Sequence, residues 1–200
     1  MKRNTCFPSL PEFTSLAAGH SHVPVCREVV ADLDTPLSLY RKTARGPYTF
    51  LLESLEGGER WGRYSIIGLD PLLVFCQRRE QVSVIKAGRS DIWQSSLDPL
   101  DQLQELLSAF SPAPVAGLPA FYGGAVGFLA YDVVKKFESL PNNARDDTGF
   151  ADALFMVPGL LLVHDNLKNT LVIVALVPVA GESDLEGCYG RGLEMIDRLL

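Results

Sequence analysis

The sequence is poor in the residues that usually advertise chemistry. It has three histidines and four cysteines in 200 residues. Cys6, Cys26, Cys76 and Cys188 form no C-x-x-C pair, and their spacings match no zinc pattern. A chain this long can bury a real core without staples, so scattered cysteines read as reduced thiols of a cytoplasmic protein. Long hydrophobic runs are also lacking. The longest apolar stretch, residues 171–180, is broken by Pro178 and falls far short of the ~20 residues that span a bilayer. No apolar signal segment follows Met1-Lys2-Arg3, because Pro8, Pro11 and Glu12 interrupt it. Positive charge is in deficit, with 18 Lys and Arg against 24 Asp and Glu and a net charge of -6. That balance argues against nucleic acid or anionic lipid as the partner.

The generic catalytic signatures are missing as well. There is no G-x-S-x-G, no H-E-x-x-H and no P-loop. His20-x-His22 lies in a leader with no carboxylate–cysteine set beside it, so no metal site is assigned. His164, next to Asp165, reads as a residue closing a strand at a turn. Gly123-Gly124-Ala125-Val126-Gly127 has the spacing G-G-x-x-G, not that of a dinucleotide loop. Flanked by Phe121, Tyr122, Phe128 and Tyr131, it reads as a strand whose glycines let another backbone approach.

What is present is an ordinary globular composition, 47% apolar and 21% charged. This suits one domain, or one large and one vestigial. Residues 1–22 read as an extended leader. Residues 23–30 are strand-like, and Asp34-Thr35-Pro36 announces a helix ended by Gly46-Pro47. Strands follow over residues 48–53, 60–67, 72–77 and 81–86, with a further strand-turn-strand across Ala87-Gly88-Arg89. Asp98-Pro99 opens the clearest helix, with Leu100, Leu103, Leu106, Leu107 and Phe110 on one face. A Pro-rich loop covers residues 111–119, and residues 132–137 read as a short helical turn. Residues 142–149 form a polar loop. Residues 153–164 and 171–179 are apolar on both faces and joined by a turn cluster, which predicts a central, covered hairpin. Residues 183–200 read as an amphipathic helix with no stop signal at Leu199-Leu200. The order predicts an α+β fold with a largely antiparallel sheet and flanking helices.

One segment mixes apolar wall and polar function. Leu51-Leu52-Glu53-Ser54 ends a strand, a glycine loop follows, and Arg63-Tyr64-Ser65 begins the next strand. Adjacent strands would bring Glu53, Ser54, Arg63 and Ser65 together beside apolar side chains, which suits a small zwitterion with an apolar body. The plainer alternative is a capped hairpin with a surface Glu–Arg pair, which pattern alone favours.

These residues carry a resemblance. The motifs are Asp34-x-Pro36-Leu37-x-x-Tyr40, Phe50-Leu51-Leu52-Glu53-Ser54, and Trp61-Gly62-Arg63-Tyr64-Ser65-Ile66-Ile67-Gly68 with Pro71. Phe121 to Phe128 with Tyr131-Asp132, and the hairpin with His164-Asp165, complete them. Over residues 23–180 the sequence resembles the N-terminal region of anthranilate synthase component I. The resemblance implies a lyase of tryptophan biosynthesis that converts chorismate and ammonia to anthranilate and pyruvate. It implies a glutamine amidotransferase partner, component II, in a heterotetramer, and Mg²⁺ at the chorismate site. Chorismate and metal residues lie in the family's C-terminal domain, so no catalytic and no metal residue is assigned here. What the family places in this half is part of a feedback pocket for L-tryptophan, mapping to Ser54 with Glu53 and Leu52 as neighbours. On this reading residues 1–22 are a leader and residues 23–180 the regulatory domain. Residues 181–200 would start a helix leading into an absent chorismate-binding domain, and the fragment alone would be inactive. Two alternatives stay open: component I of aminodeoxychorismate synthase, whose N-terminal half is built similarly, and a stand-alone amino-acid-binding module without catalysis.

Overall fold

The computed structural model describes residues 6–53, 62–136, 138–140 and 148–200. In chain order these give β1 (Cys6–Phe7), α1 (Leu10–Ala17), β2 (His22–Val30), α2 (Pro36–Thr43), β3 (Phe50–Leu52) and β4 (Tyr64–Arg78). There follow β5 (Gln81–Lys86), β6 (Arg89–Gln94), α3 (Pro99–Leu107), β7 (Val126–Leu129) and a 3-10 turn at Tyr131–Lys136. The chain ends with β8 (Ala153–Asp165), β9 (Thr170–Pro178) and α4 (Leu185–Asp197). The fold is α+β, built on a largely antiparallel sheet with flanking helices, as the alternation of strands, hairpins and helices predicts. Two compact units are distinguished, and β4 and β8 each run through both.

The first unit holds Met1–Pro71, Phe110–Gly124 and Pro158–Leu200. β2 pairs along its whole length with β9, and β9 with β8, all antiparallel. Val25, Ala175 and Leu160 therefore stand side by side. With Val23, Ile173 and Leu162 they join Phe13, Leu39, Cys188 and Ile196 of the helices in one buried core. Removing a side chain of this kind costs about 2–5 kcal/mol, so this layer carries much of the unit's stability. The predicted central hairpin is present: β9 lies between β2 and β8, and residues 160–165 of β8 are all buried.

α4 rests directly on β2 and β9. A Cβ added at Gly192 would come within 2.8 Å of both Val25 and Val177 side chains, so a glycine is what lets the helix seat this closely. The apolar face of this C-terminal helix is thus covered by strands of the same chain, with Cys188 and Ile196 fully buried. Its last turn closes at Arg198, whose N–H returns to Glu194 and Ile196.

The segment read as an extended leader contains β1 and α1 instead. Ser9-Leu10-Pro11-Glu12 is a capping signature: the Ser9 N–H donates to the Glu12 carboxylate at 2.8 Å, and a proline occupies the first turn. α1 buries Phe13 completely, with its ring edge-on to Tyr189 at 5.3 Å between centroids. The predicted helix after Asp34 is present as α2, capped by Thr35, whose side chain accepts from the Ser38 N–H at 3.1 Å. The strands expected at residues 60–67 and 72–77 are one continuous β4, which passes Asp70 at φ 45° and Pro71 without breaking.

The second unit holds Leu72–Ala109 and Ala125–Val157. β4, β5 and β6 form two successive hairpins, turning at Arg79 and at Ala87-Gly88, where φ is 54°, 50° and 74°. α3 starts at Asp98, whose side chain accepts from the Leu100 N–H at 2.7 Å. It ends at Leu107, before the Phe110 that the sequence pattern includes. Gln102 of α3 donates to Gln77 of β4 at 2.8 Å, and both are buried. β7 pairs with the start of β8 but begins only at Val126, so of the glycines read as strand Gly123 and Gly124 lie in a bend and Gly127 alone lets the partner backbone approach. A Cβ on Gly127 would lie 1.9 Å from the Leu154 carbonyl oxygen. The polar loop expected at residues 142–149 falls mostly outside the described residues.

Candidate functional site

β3 is only three residues long and pairs antiparallel with β4, with Leu51 opposite Ile67 and Leu52 opposite Ile66. Leu51 packs against the core of the first unit, whereas Leu52, on the alternate face, is 46% exposed. Glu53 follows and is exposed. Ser54 lies outside the described residues, as do the glycine loop and Trp61. Of the three residues assigned to a ligand, Leu52 and Glu53 are therefore located, at the free end of β3.

Gly62, Arg63, Tyr64 and Ser65 lead into β4 ahead of Ile66, the partner of Leu52. Arg63 is not paired with Glu53. Its guanidinium grips Asp165, with Nη2 to Oδ2 at 2.7 Å and Nε to the two carboxylate oxygens at 3.1 and 3.2 Å. The same guanidinium lies 4.9 Å from the centre of the Tyr64 ring. The Asp165 side chain is 8% exposed and that of Arg63 30%, so the pair is sheltered on the acid side. Burial alone raises the carboxyl pKa of Asp165. The Arg63 guanidinium and the N–H groups of Lys168 and Leu167 outweigh it and hold the group below the usual carboxylate range. Those N–H bonds, at 3.2 and 3.1 Å, also close the β8–β9 turn, which is the role sequence gives this corner.

Ser65 is fully buried and takes a hydrogen bond from Asn166 at 3.1 Å. Asn166 also donates from Nδ2 to the Gly62 carbonyl at 3.1 Å, and its backbone N–H donates to the Arg63 carbonyl at 2.8 Å. Its Oδ1 lies 2.8 Å from Nδ1 of His164. The sequence pattern brought Arg63 and Ser65 into the site. It missed Asp165 and Asn166 as their partners, because the contact spans about half the chain and no local signal announces it.

Next to the Arg63–Asp165 pair lies a small cavity of about 170 Å³. Arg63 and Lys168 supply positive charge to its lining, Asp165 and Glu28 negative charge, and Phe7 and Tyr64 aromatic surface. Mixed charge against apolar rings is a chemistry suited to a small zwitterion.

His20 and His22 are both engaged within the fold. His20 Nδ1 is 2.9 Å from the Leu16 carbonyl, and the His22 ring lies against Phe110 with centroids 4.7 Å apart. Among the described residues no group of three His, Cys, Asp or Glu side chains could hold a metal ion. All four cysteines are free thiols. No described helix is long and apolar enough to cross a membrane.

No protein-family model matches the sequence. Curated proteins do. Over 193 residues the chain is 35% identical to anthranilate synthase component 1 of Acetivibrio thermocellus, a match covering 96% of this chain and 38% of that protein. The chain is a sequence relative of anthranilate synthase component 1. It is 39% identical over 193 residues to the component 1 of Pseudomonas aeruginosa, covering 94% of this chain and 39% of the relative. The Aquifex aeolicus component 1 is 33% identical over 189 residues, with 94% and 38% covered. The chain thus spans about two-fifths of the length of these component 1 relatives. The crystal structure of anthranilate synthase component I from Streptococcus pneumoniae TIGR4 gives a TM-score of 0.48 at 24% identity, over 84% of this chain and 36% of that one.

Proposed function

We propose that this chain supplies the amino-acid-sensing part of an anthranilate synthase component I. The observation that supports this reading is the similarity to component 1 relatives over nearly the whole chain, at 35% and 39% identity. In the proposed whole enzyme, chorismate and ammonia give anthranilate, pyruvate and water. A glutaminase partner delivers the ammonia, and magnesium is held by residues beyond this set. The setting is the cytoplasm. The chain alone forms no anthranilate.

Within the chain, the proposed ligand segment is Leu52, Glu53 and Ser54, and the ligand is L-tryptophan. The exposed end of β3 fits that role, with Leu52 offering apolar surface and Glu53 a carboxylate for the ligand ammonium. Feedback follows if tryptophan binds better to a state with poor chorismate affinity. Linkage then makes the antagonism reciprocal.

Amide chemical-shift titration with L-tryptophan tests the site and detects even weak binding. Saturable shifts at Leu52 and Glu53, lost in Ser54→Phe, are the expected outcome. Shifts of equal size and midpoint in Ser54→Phe would remove Ser54 from the site.

A further inference from the structure

The β8–β9 turn and the four residues Gly62 to Ser65 are joined more densely than a sheet requires. Asp165 takes the Arg63 guanidinium. Asn166 reaches Gly62, Arg63 and Ser65 with three separate hydrogen bonds. Its side-chain amide is oriented by its partners. The Gly62 carbonyl can only accept, so Nδ2 faces it and Oδ1 faces His164. The imidazole must then present an N–H at Nδ1. This is the one hydrogen bond of the ring among the described residues, since Nε2 is buried without a partner. His164 is therefore built to aim Asn166, and Asn166 to hold the Gly62–Ser65 backbone.

That backbone leads into the partner strand of Leu52. Ser65 directly precedes Ile66, which pairs with Leu52, the last residue of β3. We propose that Asn166 is a positioning residue for amino-acid binding. By fixing Gly62, Arg63 and Ser65 it sets the entry into β4, whose Ile66 pairs with Leu52, and His164 keeps it in place. This rests on the reading of the Leu52–Ser54 segment given above.

The test is the same tryptophan titration, run on the parent chain, Ser54→Phe, Asn166→Ala and Thr35→Ala. Thr35→Ala removes a helix cap elsewhere in the same unit and serves as the measure of simple loosening. The expected result is a tryptophan affinity weakened about tenfold in Asn166→Ala, the scale of one hydrogen bond, and unchanged in Thr35→Ala. If Asn166→Ala fails to fold, Asn166→Ser, which keeps one donor, stands in and should bind tryptophan more weakly than the parent. Parent-like affinity in Asn166→Ala, or in Asn166→Ser where that variant stands in, overturns the proposal while leaving Ser54 in place if Ser54→Phe still loses binding. Equal weakening in Asn166→Ala and Thr35→Ala overturns it too, since loosening alone would then suffice. Absence of saturable shifts in the parent overturns the ligand reading and this proposal with it.

Discussion

Arg63 and Asp165, 102 residues apart in sequence, form an ion pair that ties the start of β4 to the end of β8. The Asp165 carboxylate also accepts the two N–H groups that close the following turn. One side chain thus serves the turn and the approach to the candidate site.

This pair makes the stability depend on pH in a defined direction. The folded carboxyl of Asp165 is held below its ordinary value, so its ionised form is favoured by folding. The contribution is fully present above the unfolded value of about 3.9 and is lost as pH falls through the folded one. Asp165→Asn should therefore melt below the parent at pH 7, and the gap should narrow below about pH 4. Melting curves across that range check it. A gap that stays constant or widens in acid would contradict the assignment.

Gly190 and Gly192 should respond oppositely to alanine, although two residues apart on α4. A Cβ at Gly190 meets nothing within 4 Å, so Gly190→Ala should stabilise by about 0.5–1 kcal/mol. At Gly192 it meets Val25 and Val177 at 2.8 Å, so Gly192→Ala should destabilise by about 1–3 kcal/mol. Denaturant midpoints of the two variants settle the sign of each.

Gln77 and Gln102 provide a third test, in the second unit. Gln102→Ala leaves the buried Gln77 Oε1 without its donor. The expected loss is about 1–3 kcal/mol, the cost of an unpaired buried polar group. A denaturation midpoint within error of the parent would show that the pair is not what holds α3 to β4.

Much of this fold is legible because its signals are local. Residues 153–164 and 171–179 are apolar on both faces, which only a covered central hairpin satisfies. Thr35-Pro36 and Asp98-Pro99 each place a cap before a proline, and both helices start there. α1 has an equally local signal in Ser9-x-x-Glu12, but two prolines, a glycine and the lack of a sustained period make residues 1–22 read as extended chain. Phe110 continued the apolar spacing of α3, yet its partner is His22, so tertiary contact rather than helix periodicity explains it. The break expected after Gly68 does not occur, because Asp70 takes a positive φ and lets β4 continue. At the site, Arg63 and Ser65 were visible as chemistry. Asp165 and Asn166 were visible only as turn residues, because hydrogen bonds across about a hundred positions leave no pattern in sequence.

The central claim, that this chain is the tryptophan-sensing part of an anthranilate synthase, is tested most directly by exchange. The region of the Pseudomonas aeruginosa component 1 matched by this chain is replaced with it, and anthranilate formation is followed with and without tryptophan. The expected outcome is a working enzyme inhibited by tryptophan, and a Ser54→Phe version that keeps much of its activity but escapes inhibition. Activity that tryptophan leaves untouched, or inhibition that survives unchanged in Ser54→Phe, would contradict it.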